Sequence, residues 1–222
     1  MQPRSRLTSA FGLFLVASAC RPDPGLPRHY NDPSAMIGEF EREDRDAWAM
    51  PDRVIRALRI DDKAAVIADI GAGSGYFSRR LAREAPGGKV YAVEIDDTFR
   101  EHIEKNREGW GAPNIEPHLA FYDDPALPEK SVDLVFMSNT YPYLRERVTY
   151  MQRIRAALRP GGRLAIISFR VDATPPDGSA PDPKFRISRE QNIAEAEQAG
   201  FILDHEETFL PHQYYLIFKS KP

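Results

Sequence analysis

Between residues 69 and 95 the chain runs DIGAGSGYF, a helix-length polar stretch, and then KVYAVEI. Gly71, Gly73 and Gly75 carry no β-carbon, so the backbone can turn tightly there and a ligand can lie against bare peptide groups. Glu94 stands 19 residues beyond Gly75, at the end of the second apolar run. A carboxylate at that point can accept hydrogen bonds from both ribose hydroxyls of an adenosine. Asp69, Ala72 and Ile95 complete this candidate cofactor site, and Asp69 is also suited to hold the glycine turn through backbone N–H groups. The spacing separates one adenosine cofactor from another. A dinucleotide fingerprint reads G-x-G-x-x-G, whereas here the sixth position is Tyr76 and the third glycine comes one place early, which argues against a nicotinamide oxidoreductase.

Such a turn works only between a buried strand and a helix, and the surrounding pattern supplies both. Ala64–Ile70 is a nearly continuous apolar run, as expected of a strand covered on both faces. Phe77 and Leu81 follow at helical spacing. Residues 89–95, 115–121, 132–138 and 163–169 read as further strands; Asp97 is expected to cap the helix after the second, and Pro160-Gly161-Gly162 to form the turn before the fifth. Val148, Met151, Ile154 and Leu158 mark a helix ahead of that turn, and Ser188 with Gln191 makes a capping-box pair for a late one. Residues 201–207 and 212–220, joined by a short turn, read as an antiparallel pair closing the sheet. The expected fold class is therefore α/β: a Rossmann-like, doubly wound, seven-stranded, mostly parallel sheet with an antiparallel C-terminal strand. The proline-rich stretch 171–187 reads as a long functional or irregular loop.

Asp69, Gly71, Gly73 and Gly75 together match D-x-G-x-G-x-G, and at this point the sequence resembles the class I S-adenosylmethionine (SAM) methyltransferases. VEIDD, YDDPALP, SVDLVFMSNTY and LRPGGRLAIISF follow in the order of that family's later motifs, over about residues 45–220. The resemblance implies SAM as cofactor, Glu94 on the ribose, and Asp123 on the adenine amino group. Arg45, Asp46, Trp48 and Pro51 resemble an R-D-x-W-x-x-P leader found in one branch of the family. That branch often has T-Y-H-H after the fourth strand, where this chain has TYPY at 140–143.

Open parallel sheets bind ligands at the carboxyl ends of their strands, which brings Ser138, Asn139, Thr140 and Tyr141 nearest a transferred methyl. Asn139 is counted with the cofactor site. Tyr141 is the candidate for substrate contact and the one candidate catalytic side chain, while Trp48 and Tyr30 are candidates to cover the site. Methyl transfer is an in-line displacement in which orientation does most of the work, so no conspicuous acid or base is required. The reading is a SAM-dependent methyltransferase acting on a small molecule; the alternative is a non-catalytic scaffold that keeps the fold and binds an adenosine ligand.

Composition narrows the partners. A net charge of −3 gives no basic footprint for nucleic acid. The five histidines and the single cysteine show no metal-ligand spacing, so no metal is expected. That cysteine, Cys20, follows Arg4, Arg6 and the apolar run from Phe11 to Ala19, in the layout of a signal peptide with a lipoprotein-type attachment site. The apolar run is too short to span a bilayer, which takes about 20 residues. The expected organisation is a signal peptide at 1–19, a tether at 20–38 and a methyltransferase domain at 39–222. The protein would then sit in a bacterial cell envelope, touching the membrane through a lipid on Cys20 only; a start at Met36 would make it cytoplasmic.

Overall fold

The computed structural model describes residues 32–175 and 178–221. Tyr30, Cys20 and the amino-terminal apolar run lie outside the described residues. Seven strands form one sheet in the order β3-β2-β1-β4-β5-β7-β6: β1 (Val66–Ile70), β2 (Lys89–Glu94), β3 (Ile115–Leu119), β4 (Val132–Ser138), β5 (Leu158–Phe169), β6 (Phe201–Glu207) and β7 (Gln213–Ser220). The first five are mutually parallel, and β7 runs antiparallel to both β5 and β6. This is the expected doubly wound sheet, and the order reverses between β1 and β4.

Alternation along the central strands explains why they are apolar throughout. In β4, Leu134 and Phe136 enter one core while Val135 and Met137 enter the other. The first core is closed by α3 (Pro51–Ala57), α4 (Ser78–Glu84) and α5 (Asp97–Asn106), through Val54, Leu81 and Ile103 among others. The second is closed by α6 (Arg147–Ala157) and α7 (Arg189–Gln198), through Met151, Ile154 and Ala196. Each fully buried Val, Leu, Ile or Met among them contributes about 1.5–3 kcal/mol.

The structure corrects the sequence reading at three joints. A helix, α1 (Pro33–Phe40), begins inside the stretch assigned to the tether. Asp32 caps it, accepting a hydrogen bond from the Ala35 N–H at 3.0 Å, and Pro33 occupies the first turn, where its missing N–H costs nothing. The cap of α5 is Asp96, which accepts from the Thr98 N–H, rather than Asp97. Pro160-Gly161-Gly162 is not a separate turn but an irregularity within β5: pairing with β4 runs Val132 to Leu158 and then jumps from Leu134 to Arg163. No helix among the described residues is long and apolar enough to cross a membrane.

Candidate active site

A cleft of about 1480 Å³ opens at the carboxyl ends of β1 to β5. Most small-molecule pockets hold about 300–1,000 Å³, so this one has room for a cofactor and an acceptor together. Its floor is the glycine turn after β1, Glu94 and Ile95 after β2, Phe121 and Tyr122 after β3, and Ser138 to Thr140 after β4.

The turn is fixed by crowding. Gly71 has a φ of +73°, and a β-carbon there would sit 2.1 Å from the Thr140 Oγ1. A β-carbon at Gly73 would lie 2.9 Å from the Phe40 ring at the end of α1. Neither position tolerates a side chain, because backbone conformation and space both forbid it.

Glu94 is tied directly to this turn. Its Oε1 accepts from the Gly73 N–H at 2.6 Å and its Oε2 from the Ile95 N–H at 3.1 Å. Each oxygen keeps a lone pair for a further donor. Burial raises its pKa to about 7 against those two hydrogen bonds, so near neutral pH it changes charge at the cleft wall. Asp69 is also buried and pushed up to about 6. Its partner is not the turn's backbone, as the sequence suggested, but the Ser78 hydroxyl at 2.6 Å, which pins the start of α4. Asp69, Gly71, Ala72, Gly73, Glu94, Ile95 and Asn139 all line the cleft; Gly75 stands behind it, against Trp110 and Ile103.

Two further candidates are placed differently from expectation. Tyr141 is fully buried and does not line the cleft; its hydroxyl donates to Glu195, which Arg147 grips through two hydrogen bonds of 2.8 Å. Burial alone would raise the Glu195 pKa, yet the hydrogen bonds from Arg147, Tyr141 and Gln191 hold it at about 2. Tyr141 thus fastens the segment after β4 to α7 rather than facing the cleft. Asp123 is exposed and outside the cleft, with its carbonyl accepting from Arg153. Its neighbour Tyr122 faces the cleft instead.

Trp48, on α2 (Arg45–Ala49), does line the cleft, its ring 5.5 Å from that of Phe169. The end of α1, just before it, holds residues that the sequence pattern did not single out. Phe40 stacks on Phe99 of α5 at 5.9 Å. Glu41 takes the Ser74 hydroxyl at 2.6 Å and pairs with Arg79 at 2.7 Å. Tyr76 donates its hydroxyl to Asp46, so leader and glycine turn are joined at several points. Asn139, with a φ of +60°, is held by the Gln213 Nε2, which donates to its Oδ1 at 2.8 Å. Asparagine tolerates that left-handed backbone better than most residues. Two aromatic pairs, Tyr143 with Phe185 and Trp48 with Phe169, also line the cleft.

An adenosine cofactor fits these groups: a cradle where a β-carbon would collide, and a buried carboxylate with spare acceptor capacity beside it. Among the described residues no group of three or more His, Cys, Asp or Glu side chains could hold a metal ion.

Comparison with known proteins agrees with this geometry. Residues 67–162 match the family model of a methyltransferase domain. Methyltransferase gedG of Aspergillus terreus is 29% identical over 140 residues, 62% of this chain and 39% of that protein. Trans-aconitate 2-methyltransferase of Rhodopseudomonas palustris is 32% identical over 51% of this chain and 41% of its own length. The chain thus spans about two fifths of the length of these curated relatives. A SAM-dependent methyltransferase from Aquifex aeolicus superposes with a TM-score of 0.77 at 21% identity, covering 84% of this chain and 97% of that one. The match to the methyltransferase-domain model thus spans residues 67–162, and the fold built around them is the Rossmann-like methyltransferase fold.

Proposed function

We propose that this protein transfers a methyl group from SAM to a small-molecule acceptor. The observation that carries the reading is the buried Glu94 carboxylate, bonded to the glycine turn and open to further donors at the cleft wall. The cofactor, when bound, supplies a methyl group already activated on a sulfonium. The chain's own part is to bind and orient. Glu94 takes the ribose hydroxyls, and the glycine turn admits the ligand close to its backbone. Phe40 and Phe99 shield that half of the cleft from water, and the Gln213-anchored Asn139 borders the other half. Trp48, Phe169, Tyr143 and Phe185 offer flat apolar surface, which suits a small acceptor with a planar or hydrophobic body. No histidine or cysteine is among the described lining residues. Catalysis on this account comes from alignment, which alone can contribute about 7–11 kcal/mol of the barrier.

The test is incubation of the purified protein with methyl-labelled SAM and small-molecule fractions of its source cells. Label entering a discrete product with wild type, and not with Glu94→Ala, supports the proposal. Cofactor binding without any transfer would favour the scaffold reading.

We further propose that the amino-terminal segment directs export and that Cys20 carries the lipid. The support is the order of Arg4, Arg6, the apolar run and the lone cysteine. Palmitate labelling lost in Cys20→Ala would bear this out; equal labelling of both forms, or a cytosolic native protein, would refute it.

A further inference from the structure

Asn139 lines the cleft half-buried, yet the side chain that holds it comes from outside. Gln213 is 4% exposed and does not line the cleft; its Nε2 donates to the Asn139 Oδ1 at 2.8 Å. It stands at the first position of β7, which runs antiparallel to β5. It therefore pairs with Phe169, the last residue of β5, at the carboxyl ends of the parallel strands. Arg170 fixes its backbone there, donating from Nη1 to the Gln213 carbonyl at 3.2 Å and from its N–H to the His212 carbonyl at 3.1 Å. Asn139 is fixed as well: its N–H donates to the Ile167 carbonyl at 2.8 Å, with φ at +60°. A buried amide is costly unless it is hydrogen-bonded, so glutamine at this position needs a reason that packing against β5 does not supply.

Fixing the oxygen of the Asn139 amide also fixes its nitrogen. With Oδ1 turned to Gln213, behind the wall, Nδ2 is the polar atom left to the cleft. Among the described residues nothing accepts from Nδ2, and it is not closed off from solvent. A primary amide nitrogen donates two hydrogen bonds, accepts none and carries no charge. A ligand must offer it a lone pair, and the charges around the cleft decide which kind. Arg42 pairs with Asp44 at 2.5 Å and Lys184 with Asp182 at 3.6 Å, while the Arg45 guanidinium faces the Phe40 carbonyl and the Tyr76 ring. A ligand carboxylate beside Asn139 would gain no counterion from these cations, whereas a neutral carbonyl oxygen needs none. Phe169, beside Gln213 in the sheet, and Trp48 supply flat apolar surface. We infer that Gln213 is a positioning residue that turns the Asn139 amide nitrogen into the cleft, and that Asn139 thereby selects a methyl acceptor bearing a neutral carbonyl oxygen on a planar body. The inference deepens the methyltransferase reading and rests on it.

The full chain, saturated with S-adenosylhomocysteine, is titrated with acetophenone, benzoate and ethylbenzene in turn, and binding is followed by ligand-observed NMR. The three share a phenyl ring and differ in carrying a neutral carbonyl, a carboxylate or no acceptor group. Wild type should bind acetophenone at least about fivefold more tightly than either of the others. In nitrogen-15-labelled protein, acetophenone should also shift the assigned Asn139 side-chain amide signal. Gln213→Met keeps the side-chain length and removes the amide. Asn139→Asp keeps an oxygen for Gln213 and tolerates the left-handed backbone, but has no donor for the cleft. Both variants should lose the preference, with thermal unfolding checking that each is folded, and Gln213→Met should keep its S-adenosylhomocysteine affinity within about twofold. Absence of the preference in wild type, a preference for benzoate, or a preference that survives in either variant overturns the inference. A matching fall of S-adenosylhomocysteine affinity in Gln213→Met overturns it too, by assigning Asn139 to the cofactor. Should a variant fail to fold, the wild-type preference and amide shift decide alone. Failure of wild type to bind S-adenosylhomocysteine at all would instead overturn the methyltransferase reading itself, and this inference with it.

Discussion

Glu94→Gln is predicted to make the protein more stable and less able to hold its cofactor, and to do the first only at alkaline pH. Burial moves this carboxyl from its ordinary 4.5 to about 7. Ionising it in the folded state therefore costs about 3 kcal/mol more than in the unfolded chain. The sign follows from which state holds the proton: the folded protein binds it more tightly, so the group favours folding below pH 4.5. That contribution is lost as the pH rises through about 7. Glutamine carries no charge at either pH. Its single carbonyl oxygen can keep the Gly73 N–H but gives up the Ile95 N–H, a loss of about 1 kcal/mol. Urea unfolding should accordingly find the variant about 2 kcal/mol more stable at pH 8, and at pH 5 equal to wild type or about 1 kcal/mol weaker. In parallel, S-adenosylhomocysteine should bind about 100-fold less tightly at pH 8, since two hydrogen bonds to an ionised acceptor are weakened. A stability difference that is the same at both pH values would refute the assignment of a buried, titrating Glu94.

Gly71→Ala should destabilise the protein by about 1–3 kcal/mol and abolish cofactor binding, because its β-carbon meets Thr140 at 2.1 Å in a left-handed backbone; calorimetry and thermal unfolding report both. Tyr141→Phe should cost about 1–2 kcal/mol of stability while kcat stays within about twofold, since the lost hydroxyl serves Glu195. A large fall in kcat at unchanged stability would restore Tyr141 to the substrate. Glu195→Ala should cost about 1–3 kcal/mol at pH 7, since it leaves the half-buried Arg147 without its partner. The wild-type advantage should fade as the pH drops below 4.5 towards about 2, because a depressed carboxyl stabilises only when ionised. Phe40→Ala should speed cofactor release in stopped-flow measurements, with little loss of stability beyond about 2 kcal/mol, since the ring covers Gly73 and stacks on Phe99.

The sheet was legible because its signal is local and repeated. Val135 and Leu134 face different cores, so a strand covered on both sides is apolar at every position, and the polar helices between such runs are hard to misplace. The glycine turn and Glu94 were legible for the same reason, as each depends on spacing along one crossover. What escaped depends on contacts between distant segments. Asp123 and Tyr122 are adjacent in sequence, and the chain turns between them at a bridge of Phe121 with Asp124 that no spacing announces. Tyr141 follows β4 at the place a substrate contact would occupy, but Glu195, far along the chain, claims its hydroxyl. The helix at Pro33–Phe40 was hidden by its own proline, which reads as a tether residue unless the preceding aspartate is recognised as a cap. Phe40 and Glu41 had no motif to announce them, and Gln213 acts on Asn139 from the start of the last strand.

The central claim is that the Glu94-bonded glycine turn is a SAM site. Equilibrium titration of the full chain with SAM at pH 8, beside NADH as a control, tests it most directly. The account predicts saturable one-to-one binding of SAM, at least about 100-fold weaker in Glu94→Ala, and none of NADH. Absence of SAM binding by a folded wild-type protein, or binding indifferent to Glu94→Ala, would contradict it.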